Sequence, residues 1–139
     1  MTVTTLTYRD HSVTDAPLDA NICLPRVPAS VSGARRWLTK TLAEWGVAGD
    51  TVDNAELLLS EVVTNAVLHN AGADDTTITA AWWHGYLRVT VSDPDLQVPV
   101  TDLADDEHGR GLMIVTELAA RWGEIKTLTG KKVWFELNR

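Results

Sequence analysis

The sequence predicts an α+β fold, a two-layer sandwich in which a mostly antiparallel mixed sheet is covered on one face by about three helices. Three observations carry this prediction. Two consecutive segments, 30–45 and 50–70, place apolar residues at helical spacing, and two pairs of β-rich runs follow them. The order is strand, two helices, hairpin, loop, helix, hairpin, which groups antiparallel strands together and leaves the helices to cover them. The second face of the sheet is then exposed or used for assembly.

The elements follow in chain order. Residues 1–17 are polar and irregular, and the domain proper is expected over 18–139. Leu18 to Leu24 reads as a short strand that ends before Pro25 and Pro28. From Ser30, a plausible N-cap, the residues Val31, Ala34, Trp37, Leu38, Leu42 and Trp45 form an apolar stripe, and Gly46 stops the helix. Asp50 can cap a second, longer helix that runs to about Asn70 and closes at Gly72. Thr76 to Trp83 and Leu87 to Ser92 meet at His84-Gly85, a two-residue turn signal. From Asp93 to Gly109 come two prolines, six acidic residues and little periodicity, the composition of a solvent-facing loop. A third helix is expected from Gly111 to Trp122, stopping at Gly123, with closing strands at Glu124 to Leu128 and Lys132 to Leu137.

Composition narrows the function classes. With 139 residues, 45% hydrophobic and 22% charged, the chain has ordinary globular usage and no run of about 20 apolar residues that could span a bilayer. A formal net charge of −7 sets it against duplex nucleic acid and anionic membrane as main partners, since both would repel it at long range. The single cysteine, Cys23, excludes an internal disulfide and reads as a small buried apolar residue in a reducing compartment. The expected location is the cytoplasm. Of the six tryptophans, Trp37, Trp45, Trp122 and Trp134 read as core. Trp82 and Trp83 are strand neighbours, so one of them should leave the core. Arg35-Arg36 and Lys131-Lys132 read as solvated charge.

The chemistry gathers in three segments. On the second helix Glu61, Asn65 and His69 are spaced four apart, so they form one polar stripe among Leu57, Leu58, Leu59, Val62, Val63, Ala66, Val67 and Leu68. A helix so apolar should be buried nearly all round, where a carboxylate and a carboxamide need partners. Spacing alone leaves open whether a ligand supplies them or whether the pair lies at the surface. Asp93 ends a β-rich run and opens the long loop, a place from which a carboxylate can reach into a crevice. Gly109-Arg110-Gly111 leads into a helix, an arrangement in which backbone N–H groups can hold a phosphate or which is an ordinary flexible helix start.

Taken together in this order, the segments resemble the histidine-kinase-like ATPase family. Glu61-Val-Val-Thr-Asn65-Ala-Val-Leu-His69 is similar to its N box, Val91-Ser-Asp93 to the start of its first glycine box, and Gly109-Arg110-Gly111-Leu112 to its second. The resemblance spans about Leu24 to Leu137 and is nearest the small bacterial anti-sigma regulatory branch, through Pro28 to Val31 and the ending Val133 to Leu137.

The resemblance implies a Bergerat-type ATP-binding fold with ATP and Mg2+ as cofactors. It implies Asn65 as the magnesium ligand through its side-chain oxygen, and Glu61 as the base that polarises the attacking hydroxyl or water. Asp93 would accept a hydrogen bond from the exocyclic amine of adenine. Gly109, Arg110, Gly111 and Leu112 would approach the phosphates, with His69 either at the phosphates or packed at the helix end. The implied activity is that of a serine/threonine kinase that phosphorylates an anti-anti-sigma antagonist and sequesters a sigma factor, and dimers are common among such relatives. Two departures favour an alternative, a non-catalytic binding module with a degenerate site. Asp93-Pro94-Asp95 replaces the usual Asp-x-Gly, and Lys132 stands about where the family places a threonine that supports the adenine-binding aspartate.

Overall fold

A computed structural model describes residues 17–69, 75–93, 117–127 and 130–138 of the chain. Its elements are β1 (Leu18–Leu24), α1 (Ala29–Glu44), α2 (Asp50–His69), β2 (Thr76–Trp83), β3 (Tyr86–Asp93), β4 (Arg121–Thr127) and β5 (Gly130–Asn138). The five strands form one sheet in the order β1-β2-β3-β5-β4, and every pairing is antiparallel. The two described helices pack on one of its faces, which gives the expected α+β sandwich.

Alternation builds the layer. Ile78 and Ala80 of β2, Leu87, Val89 and Val91 of β3, and Val133, Phe135 and Leu137 of β5 turn to the helices and are buried. Ala34, Leu38 and Leu42 from α1 and Ala55, Leu58, Leu59, Val62 and Val63 from α2 complete the core. Each fully buried Leu, Val or Phe contributes roughly 1.5–3 kcal/mol of transfer free energy. Thr39 of α1 also donates a hydrogen bond to the carboxylate of Glu56 on α2, tying the two helices together outside the core.

Both predicted turns have the expected chemistry. Gly46 (φ +78°) follows α1, with Val47 N–H bonded to Leu42 O and Gly46 N–H to Ala43 O, the paired bonds of a Schellman stop. His84 (φ +53°) and Gly85 (φ +81°) join β2 to β3 in a two-residue turn with both central residues left-handed.

Several expectations are corrected. Ser30 does not cap α1: the helix starts at Ala29, and the Ser30 hydroxyl instead donates to Pro25 O at 2.6 Å. Trp122 and Gly123 do not end a helix but lie inside β4, because the pairing with β5 starts already at Arg121 opposite Glu136. Gly123 is there to accommodate the Trp134 indole, which an added Cβ would meet at 2.9 Å. Trp134 itself points away from the core, being out of phase with Val133 and Phe135. Cys23 is exposed, since Ile22 and Leu24 take the covered face of β1. The second helix is not buried all round: Leu57 and Leu68 are 45% and 68% exposed. The tryptophan pair behaves as expected, with Trp82 packed against the core and Trp83 leaving it.

The open face carries a cross-strand ladder of charge and aromatic rings. Glu136 of β5 pairs with Arg121 at 2.6 Å and with Arg88 at 3.2 Å. Arg88 lies over Trp134 and Arg121 over Tyr86. The hydrogen bond to Glu136 raises the Arg121 guanidinium above its ordinary value. Beside this ladder Trp83, His84 and Tyr86 border a concavity of about 360 Å³.

The N-terminal segment up to residue 16, the acidic loop after Asp93, and most of the expected third helix lie outside the described residues. No helix among the described residues is long and apolar enough to cross a membrane.

Candidate functional site

The site lies on the helix-covered side of the sheet, at the end where β3 stops and β5 starts. Val62, Asn65 and Ala66 of α2 face Val91 and Asp93 of β3, Lys131 and Val133 of β5, and Glu124 of β4 across a crevice. The gap measures about 390 Å³ including its open side, of which about 20 Å³ is open to the centre of a water-sized sphere. Two apolar positions on either wall, Val62 and Ala66 against Val91 and Val133, make a narrow slot with polar groups at one end.

The register explains the polar end. The two-residue turn at 84–85 sets Trp83 opposite Tyr86 and Thr77 opposite Ser92. The next pair is therefore Thr76 and Asp93, both on the covered face. Their side chains meet: Thr76 Oγ1 donates to Asp93 Oδ1 at 2.6 Å. Asp93 is only 3% exposed, so the hydroxyl partly satisfies a carboxylate that burial would otherwise make costly. Lys131 lies directly opposite Asp93 on β5, with its ammonium 3.9 Å from Glu124 Oε2.

Asn65 and Asp93, predicted as metal ligand and base reader, are thus brought to the same crevice. Glu61 lies one turn earlier on α2, half-buried, and is not among the side chains lining the crevice. The His69 side chain and all of Gly109, Arg110, Gly111 and Leu112 lie outside the described residues, as does Asp95.

One placement is corrected. Lys132 pairs with Ser92 and is exposed on the open face, so it does not stand beside Asp93. Lys131 does, and it is buried rather than solvated. The hydroxyl that supports Asp93 comes from Thr76 on the other neighbouring strand. Sequence reasoning missed Thr76, Lys131 and Glu124, although two signals pointed to the first two. The turn at His84-Gly85 fixes Thr76 opposite Asp93, and the alternation Val133, Phe135, Leu137 puts Lys131, not Lys132, in phase with the core.

The donor set fits a purine nucleotide with magnesium. A buried carboxylate braced by a hydroxyl is an acceptor for an exocyclic amine, and the Asn65 carboxamide can offer a hard oxygen at the opposite wall. Among the described residues no three His, Cys, Asp or Glu side chains cluster as a metal site.

Comparisons with known proteins agree with the fold. Residues 24–137 match the model of the histidine kinase-like ATPase domain. Among solved structures, the RsbU and RsbW domains of Rv1364c from Mycobacterium tuberculosis superpose with a TM-score of 0.71 at 21% identity, over 87% of this chain and 32% of that one. The chain thus spans about a third of that protein's length. A chain of the SiaB–SiaC complex from Pseudomonas aeruginosa gives a TM-score of 0.55 at 12% identity, over 85% of this chain and 87% of that one. At these identities the likeness is one of fold. No curated protein sequence matches the chain. With a match that runs from the last residue of β1 almost to the end of β5, and with Asn65 and Asp93 facing one crevice, the chain belongs to the histidine kinase-like ATPase family.

Proposed function

We propose that the crevice between α2 and the β3–β5 end of the sheet binds ATP with magnesium, and that the chain is a cytoplasmic regulator of the anti-sigma type. The observation that carries this reading is the buried Asp93, braced by Thr76 and facing Asn65 across a slot with apolar walls. Asp93 selects the adenine amine, Val62 and Val91 pack on the ring, and Asn65 contributes one oxygen to magnesium. The bound Mg-ATP would supply the transferable phosphoryl group and neutralise its charge. Gly109, Arg110, Gly111 and Leu112 remain the phosphate-binding proposal, with His69 beside them, and Glu61 the proposed base.

The substrate proposed is a serine or threonine on an anti-anti-sigma protein, with a sigma factor as the protein held in check and a homodimer as the assembly. The similar structures support a protein partner, since one carries an RsbW domain alongside RsbU and the other comes from the SiaB–SiaC complex.

Titration of the full chain with Mg-ATP in a calorimeter tests the binding reading. Saturable heat that disappears in Asn65→Ala and in Asp93→Asn is expected, and equal heat in all three proteins would remove the site from this crevice. Transfer of labelled phosphate to an anti-anti-sigma protein then tests the kinase. The second reading, a non-catalytic protein-binding module with a degenerate nucleotide site, is favoured by Asp95 standing where the family's first glycine box has glycine. It requires that Glu61→Ala keep partner regulation intact.

A further inference from the structure

Lys131 is an unusual residue to find where it is. It is only 8% exposed, at a strand position directly opposite Asp93, and it lines the crevice beside that carboxylate. Most of its aliphatic stem is covered, which holds the ammonium at the crevice instead of letting it swing out into bulk solvent. Its ionic partner on β4, Glu124 Oε2 at 3.9 Å, lies within ion-pair range but beyond hydrogen-bond range. At that distance Glu124 stabilises the charge by Coulomb attraction without taking up any of the three N–H donors, which can therefore turn to whatever enters the slot.

The polar end of the crevice thus offers an acceptor and a donor side by side, Asp93 on β3 and Lys131 on β5. Adenine carries the complementary pair on one edge: an exocyclic amine that donates and the ring nitrogen N1 that accepts. We infer that Lys131 is a second base-selecting residue, donating from Nζ to N1 of adenine while Asp93 accepts from the amine. This deepens the nucleotide reading above and rests on it. The two residues reject guanine in the same pose, because its O6 would face the Asp93 carboxylate and its N1–H would face the ammonium. Leaving two buried polar groups mismatched is the strongest kind of discrimination that a small site can exert. Glu124 acts through Lys131 as a positioning residue.

The decisive measurement is calorimetric titration of the full chain with Mg-ATP, with 1-deaza-ATP, in which the N1 acceptor is a C–H, and with GTP. A hydrogen bond from a charged donor makes ATP bind about tenfold or more tighter than 1-deaza-ATP to the unaltered protein. Lys131→Met should bind ATP about tenfold more weakly and no longer distinguish it from 1-deaza-ATP, with its preference for ATP over GTP also narrowed. Lys131→Gln, which keeps a neutral donor at the same place, guards against loss of folding in the Met variant and should show a reduced but measurable discrimination. Equal affinity of the unaltered protein for ATP and 1-deaza-ATP overturns the assignment, as does full discrimination retained in both variants. Tighter binding of GTP than of ATP overturns it too, since a reversed ring would then be the one that satisfies the pair. Absence of any heat with ATP is a different result: it removes the nucleotide reading and this assignment along with it.

Discussion

The Thr76 hydroxyl and the Asp93 carboxylate share a buried 2.6 Å hydrogen bond across the last rung of the β2–β3 hairpin. Removing the hydroxyl by Thr76→Val keeps the shape and leaves the carboxylate short of one partner, a loss of about 1–3 kcal/mol. Urea denaturation should register that loss. ATP affinity should fall about fivefold or more in the same variant, because an unbraced Asp93 is less well placed for the base. Thr76→Ser should behave close to the unaltered chain in both measurements.

Gly123 and Trp134 form the second pair with a sharp expectation. A Cβ on residue 123 would lie 2.9 Å from the indole nitrogen, so Gly123→Ala forces Trp134 or the β4–β5 ladder to shift. A cost of about 1–3 kcal/mol is expected for such overpacking, seen as a lowered melting temperature. The double variant with Trp134→Ala should recover part of it, and strict additivity would show that the clash is relieved elsewhere.

The turn offers a stabilising change. His84 is held at φ +53° in a position where Asn is better tolerated. His84→Asn should raise stability by about 0.5 kcal/mol, while Gly85→Ala, at φ +81°, should lower it by about 1 kcal/mol or more. Thermal melts of the two variants in opposite directions are the check.

In the core, Phe135 on β5 is fully buried among side chains from both helices and the sheet. Phe135→Ala should cost about 3–5 kcal/mol. Against an ordinary domain stability of about 5–15 kcal/mol, a large share of the chain should then be unfolded near physiological temperature, measurable by far-UV circular dichroism.

Much of this architecture could be read from periodicity and turn chemistry. Leu18–Leu24, the body of both helices and the hairpin around His84-Gly85 follow from short-range patterns that tertiary packing did not override. The start of β4 could not be read that way. Arg121-Trp122-Gly123 continues the apolar spacing of a helix, and only its pairing with Glu136, Phe135 and Trp134 makes it a strand. The site divides along the same line. Asn65 and Asp93 were visible through motif order, whereas Lys131 and Glu124 became neighbours of Asp93 only once β5 had been seated between β3 and β4.

That seating has a consequence for how the molecule assembles. Thr76, Asp93 and Lys131 occupy one row across three adjacent strands, with Glu124 on the fourth, so the polar end of the crevice combines chain positions up to 55 residues apart. No partly formed sheet contains it. A ligand that recognises this row binds only the completed sheet, and by mass action it stabilises every strand at once, by about 2.7 kcal/mol at roughly a hundred times its dissociation constant. Occupancy and the lifetime of the folded chain are thereby linked: where the ligand is scarce, the chain itself should turn over faster.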